Sequence, residues 1–324
     1  MIISLLAKPF SHIERFAKDF ERRFNYVKYT LSGNAYKAWT CTFPVGGHQD
    51  IVDSFLKGAK YFPDVKILVN PSRKEIEGSV VYVPSGWKAL RDAILLKSAG
   101  KIKKLISGPV GDHISDYAGM ILNDAIDACV VPCEWYKMKC MKEAEEKKIN
   151  FGNIKVWPVG VDHEIWSPQN KKTPEDMSKA LIYVKGRGAL ISEQADEVLA
   201  KIGKERKMII CGTHTPSEYR NLLEWCDFVV FCGHSETQGL AIAQAWSMNR
   251  QTLVYEPECF WEQGLSAAPY LTEHTGKKWR TAHDLSECLR SMVLISPRVW
   301  VLANQTNKIA FTNFLKIVDE LECV

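Results

Sequence analysis

The chain has 324 residues, 46% apolar and 25% charged, which fits two globular domains and leaves no room for extensive disorder. Lys and Arg total 42 against 38 Asp and Glu, and a formal charge of +4 is too small an excess to point to nucleic acid. Ten scattered cysteines without a CxxC pair indicate a reducing compartment, read here as cytoplasmic, and no metal site; Cys211 with His214 is not zinc-ligand spacing.

Residues 2–6 form an apolar run that ends at Lys8 and Pro9. It is too short for a membrane span and suits a buried strand. No other run approaches spanning length, so the chain is expected to be soluble, with peripheral membrane contact the most a bilayer would offer. A helix is predicted over 13–24 with Ser11 as its N-cap. Helices follow at 51–61, 87–98, 117–124 and 134–147, and strands at 65–69, 80–83, 104–107, 128–131 and 154–157. Residues 162–178 carry two prolines and mixed charge, which is linker composition. Alternation then restarts with strands at 180–184, 208–211, 228–232 and 252–255 and helices at 192–202, 217–225 and 240–248. A final amphipathic helix covers about 306–321. Such alternation predicts α/β architecture with mostly parallel sheets.

The most informative stretch is Ser235-Glu236-Thr237-Gln238-Gly239-Leu240-Ala241-Ile242-Ala243-Gln244-Ala245-Trp246. It follows the apolar run FVVFC and opens a helix. In an open α/β sheet such a turn faces the crevice where ligands bind. Helix N-terminal amides and their partial positive charge suit a pyrophosphate, and Gly239 allows a ligand close to the backbone. Glu236 stands before the helix and Gln244 one turn inside it, so the two would reach different parts of one ligand. An ordinary capped helix beside a loop glutamate is the bland alternative.

This pattern resembles the retaining GT-B glycosyltransferases, family 4 in particular, whose hallmark is two glutamates separated by seven residues in a run like E-G-F-G-L-x-x-x-E-A. Glu236, Gly239, Leu240 and Ala245 stand at matching places, and Gln244 replaces the second glutamate. Glutamine keeps hydrogen-bonding capacity but loses the charge-assisted strength of a carboxylate. The resemblance implies two Rossmann-like domains facing a central cleft. Residues 1–161 would form the acceptor side, 162–178 the linker and 179–303 the donor domain. The helix in 304–324 is expected to pack back on the first domain. Glu236 would then bind donor-sugar hydroxyls and Gln244 the ribose. Thr237, Gln238, Gly239 and Leu240 would line the donor site, with Gly212 placed beside them.

A second feature extends the resemblance: the run Leu181-Ile182-Tyr183-Val184 ends in Lys185-Gly186-Arg187, where related enzymes hold the diphosphate, so Lys185 and Arg187 are the expected cations. A solvated basic turn is the competing reading. Val131-Pro132-Cys133 and Pro158-Val159-Gly160-Val161-Asp162 resemble the end of the family's first domain. Gly46 and Gly47, in Pro44-Val45-Gly46-Gly47-His48, sit where relatives approach the donor phosphates or the acceptor, although an ordinary turn would explain two adjacent glycines equally well. Asp112 and His113 follow a predicted strand, and His113 is carried as a catalytic candidate.

The implied activity is transfer of a hexose from a nucleotide sugar to an acceptor hydroxyl, with retention and without metal or other cofactor. A UDP- or GDP-sugar is the expected donor, and a glycan, lipid-linked or small molecule the acceptor. Two alternatives stand beside it: a non-catalytic GT-B-shaped sugar-nucleotide or glycan binder, and a sugar-nucleotide epimerase.

Overall fold

The computed structural model describes residues 1–42, 47–109, 111, 113–169, 177–186 and 188–323. Its contacts divide the chain into two units, Met1–Gly160 with Asn307–Val324, and Val161–Thr306. Both are α/β.

The first unit is built on a six-stranded sheet of β1 (Ile2–Leu5), β2 (Lys66–Val69), β3 (Val80–Val83), β4 (Lys104–Ser107), β5 (Ala128–Val131) and β6 (Ile154–Val156). The order is β2-β1-β3-β4-β5-β6, and every pairing is parallel. β3 and β5 are buried along all four residues, as a sheet covered on both faces requires. The last helix, Asn307–Glu322, returns to this unit and packs on the helix Gly47–Ala59. Its Phe311 and Phe314 meet Phe55 at 5.0 Å between ring centroids, and Phe314 also packs near Tyr82 and Trp157. The Trp157 indole N–H donates to the Ala310 carbonyl at 2.8 Å.

Three departures from the sequence reading lie in this unit. The helix expected over 117–124 is absent: Tyr117 and Ala118 have φ of 52° and 59°, left-handed values that no right-handed helix contains, and only a 3-10 turn follows at Met120–Leu122. A helix at Ala35–Thr42 is an addition. The first helix runs longer than predicted, His12–Leu31, and Ser11 caps it by accepting from the Glu14 amide at 3.3 Å.

The second unit carries a five-stranded parallel sheet of β7 (Lys179–Val184), β8 (Glu205–Ile210), β9 (Phe228–Cys232), β10 (Gln251–Tyr255) and β11 (Gly276–Trp279), ordered β11-β10-β9-β7-β8. Side chains of β7 alternate between two cores with the period of a strand. Ala180, Ile182 and Val184 face a cluster that includes Ala195, Val198 and Leu199 of the helix Ala189–Lys201, together with Leu285. Leu181 and Tyr183 face the other cluster, with Tyr219 and Leu223 of Pro216–Trp225 and Ile242, Ala245 and Trp246 of Leu240–Ser247. Trp166, within the stretch of linker composition, is buried in that second cluster. The unit also contains helices at Glu258–Glu262, Ala282–Arg290 and Pro297–Asn304 and the strand β11, none of which the sequence reading included.

Candidate functional site at the carboxyl edge of the second sheet

β7 is flanked by β8 on one side and β9 on the other, so the chain reverses its direction of travel across the sheet there. After β7 it enters the helix Ala189–Lys201 on one face, and after β9 it enters Leu240–Ser247 on the opposite face. A crevice opens outside the carboxyl ends of two strands so arranged. The turns that border it are pressed together. The Lys185 amide donates to the Cys232 carbonyl at 2.9 Å, and a Cβ added at Gly188 would stand 2.3 Å from that same oxygen. Only glycine fits at 188.

Into this edge the structure brings Lys185 and Glu236, 51 residues apart in sequence. The Lys185 ammonium donates to a Glu236 carboxylate oxygen at 2.5 Å. The lysine side chain is 46% exposed and the glutamate 20%. A pair this wet contributes roughly 0.2–1 kcal/mol, so an incoming anion can reorganise it without unfolding anything.

Gly239 begins the helix with φ of 57° and no side-chain cap, and its carbonyl accepts the Ala243 amide. The helix mouth therefore presents backbone rather than a capping side chain, the arrangement that accommodates a phosphate. Gly239 is buried, while Thr237, Gln238 and Leu240 are half-buried around it. Tyr270 donates to the Gln238 side-chain oxygen at 3.4 Å, and Tyr219 donates to the Ala241 carbonyl at 2.8 Å, anchoring the first turn. Gln244 is half-buried one turn further in. Gly212 lies beyond β8 with φ of 82°, next to the Cys211 amide that donates to Val184 at the end of β7. Gly212, Lys185, Glu236 and Gly239 thus belong to one sheet edge.

Sequence reasoning missed what holds Glu236 in place. Its amide donates to the Ser266 carbonyl at 2.8 Å. The Ser266 hydroxyl and the Ala267 amide both donate to one oxygen of Glu256 at 2.8 Å, and Lys278 donates to the other. Glu256 is 1% exposed at the end of β10. Burial pushes its carboxyl up, but Lys278 and the Ala267 and Ser266 donors outweigh that and hold it below the usual glutamate range. In sequence Glu256 stands beside Glu258 and Glu262, a grouping that assigns it no role. Its position at a strand end was the available signal.

The remaining candidates stand elsewhere. His113 belongs to the first unit; its ring nitrogen is 3.5 Å from Glu143, its amide donates to Asp116 at 3.0 Å, and its side chain is exposed. Gly47 opens the helix Gly47–Ala59 of the same unit. Arg187, Gly46 and Asp112 lie outside the described residues, as does the side chain of His48. Among the described residues no group of three His, Cys, Asp or Glu is placed to hold a metal ion, and no helix is long and apolar enough to cross a membrane.

No protein-family model matches the chain, and no curated sequence matches it. Solved structures do. A sucrose-phosphate synthase from Thermosynechococcus elongatus superposes with a TM-score of 0.52 at 11% identity, over 75% of this chain and 74% of that one. The lipopolysaccharide outer core galactosyltransferase WaaB, in its apo form, superposes with a TM-score of 0.51 at 11% identity, over 99% of both chains. The fold is GT-B. In GT-B terms the second unit is a Rossmann-like domain whose switch point carries Lys185, Glu236 and Gly239, and the first is its Rossmann-like companion.

Proposed function

We propose that this GT-B protein is a glycosyltransferase that moves a hexose from a nucleotide sugar to an acceptor hydroxyl with retention of configuration. One observation carries the reading: the uncapped helix start at Gly239 and the Lys185–Glu236 pair share the switch point of the second sheet. The donor diphosphate would lie at the amides opening Leu240–Ser247, with Lys185 turning from Glu236 to a phosphate oxygen. Released from that pair, the Glu236 carboxylate would accept hydrogen bonds from sugar hydroxyls, and Gln244 would meet the ribose. The sugar–oxygen bond to the diphosphate breaks as the acceptor oxygen bonds to the same carbon and the same face. The acceptor proton passes to the departing phosphate oxygen. The positive charge this needs is supplied by Lys185 and the helix start, so the reading calls for no metal.

Stabilisation against heat by a panel of UDP-, GDP- and ADP-sugars identifies the donor, because a ligand of the native state raises the melting point further the more its concentration exceeds Kd. Turnover of that donor should fall by about two to three orders of magnitude in Glu236→Ala while the fold persists. The same turnover in the variant as in the parent would reject the reading. Gln244 in place of a carboxylate favours one second reading, a sugar-nucleotide binder; stabilisation by a donor that is never turned over would establish it.

A further inference from the structure

The helix His12–Leu31 turns its apolar side outward. Ile13, Phe16, Phe20, Phe24, Val27 and Leu31 are each between 54% and 83% exposed. At about 100° per residue these six fall within roughly 80° of arc, one straight ridge about 27 Å long. Phe16 and Phe20 stack along it at 6.4 Å. The opposite side is fastened to the first unit. Glu14 pairs with Lys88 and Arg91 at 3.4 and 3.3 Å, and Arg22 donates to the Cys41 carbonyl at 3.1 Å. Rotating the helix to bury its ridge would break all three contacts.

Charge indicates what covers the ridge. Exposed Arg23 borders the ridge on one side and exposed Lys28 on the other, so the charges nearest it are cationic, with exposed Glu21 one step further round. With eight charges in 20 residues it cannot enter hydrocarbon lengthwise. A convex aromatic ridge between long cationic side chains suits the plane of a lipid interface, where the rings enter the acyl boundary and the cations reach phosphates. A second copy fits less well. In an antiparallel twofold pairing about the ridge midpoint, Arg23 would face Arg23 and Glu21 would face Glu21.

We propose that the apolar ridge of His12–Leu31 docks this protein on the surface of an anionic phospholipid bilayer. The full-length chain, mixed with phosphatidylcholine vesicles containing phosphatidylglycerol, should sediment with them, more weakly in high salt and more weakly with pure phosphatidylcholine. Phe20→Glu should lower the bound fraction roughly tenfold, with circular dichroism and melting unchanged because Phe20 is exposed. A double substitution R23E/K28E should remove the preference for anionic vesicles. Failure of the parent protein to sediment, or F20E sedimenting equally well, would overturn the proposal. So would a concentration-dependent dimer that F20E abolishes while no vesicle is bound.

Discussion

At the scale of single residues, Glu256 is the group whose loss should be felt furthest. Its carboxylate is buried, and it ties β10 to the 265–268 loop and to Lys278 on β11. Glu256→Gln keeps an acceptor for Ser266 or Ala267 but loses the charge, and Lys278 can turn partly to water. Chemical denaturation should therefore report a loss of about 1–3 kcal/mol. The pH dependence has a defined sign. The native carboxyl titrates below its unfolded value, so its contribution is complete above the ordinary glutamate range and drains away as pH falls through the native value. The stability gap between parent and variant should hold constant above about pH 5 and narrow below about pH 4. A gap that widens in acid would contradict the assignment. Because Ser266 also holds the Glu236 amide, the same variant should slow any sugar transfer without touching the donor.

At the scale of elements, the two glycines of the switch point act through different physics. Gly188 is constrained by space: its missing Cβ is where the Cys232 carbonyl lies. Gly239 is constrained by backbone angle, since the nearest atom to an added Cβ is Pro269 Cδ at an ordinary 3.7 Å. Gly239→Ala should cost about 1–2 kcal/mol, the left-handed penalty alone. Gly188→Ala must part the turns after β7 and β9, and should cost more, on the order of 3 kcal/mol. Equal losses in urea melts would contradict this division. The same distinction explains what the sequence could tell. Buried strands such as β3 and β9 announce themselves as apolar runs between turns, and their predicted bounds match within a residue. β11 reads GKKW and escapes, because an edge strand buries its ends and exposes its middle. Ala282–Arg290 escapes although Thr281 and Asp284 form a legible capping box. The segment at 117–124 misleads because left-handed residues that are not glycine leave no mark in a pattern of hydropathy. At the site, Glu236 and Gly239 are visible as a motif on one turn. The contact of Lys185 with Glu236, and the chain through Ser266 to Glu256 and Lys278, join separate segments and depend on sheet order that composition does not encode.

At the scale of the whole molecule, the two units differ in how the chain closes them. The second is continuous, Val161–Thr306, with a core on each face of its sheet. The first is discontinuous: its sheet is complete by Val156, but Phe311 and Phe314 arrive only after the chain has traversed the second unit. Without them, Phe55, Tyr82 and Trp157 lose fully buried ring partners, and each lost Phe is comparable to a deletion worth about 3–5 kcal/mol. Two such losses approach the entire stability of a domain this size, about 5–15 kcal/mol. A fragment of residues 161–306 should therefore melt cooperatively by itself. A fragment of residues 1–160 should lack fixed aromatic packing, bind a hydrophobic dye and give no near-ultraviolet dichroism. Adding a peptide of residues 307–324 should restore that dichroism, since the peptide supplies the missing rings and the N–H acceptor for Trp157. A cooperative melt of residues 1–160 alone would mean that the sheet and its own helices suffice, and that the returning helix stabilises a core already formed.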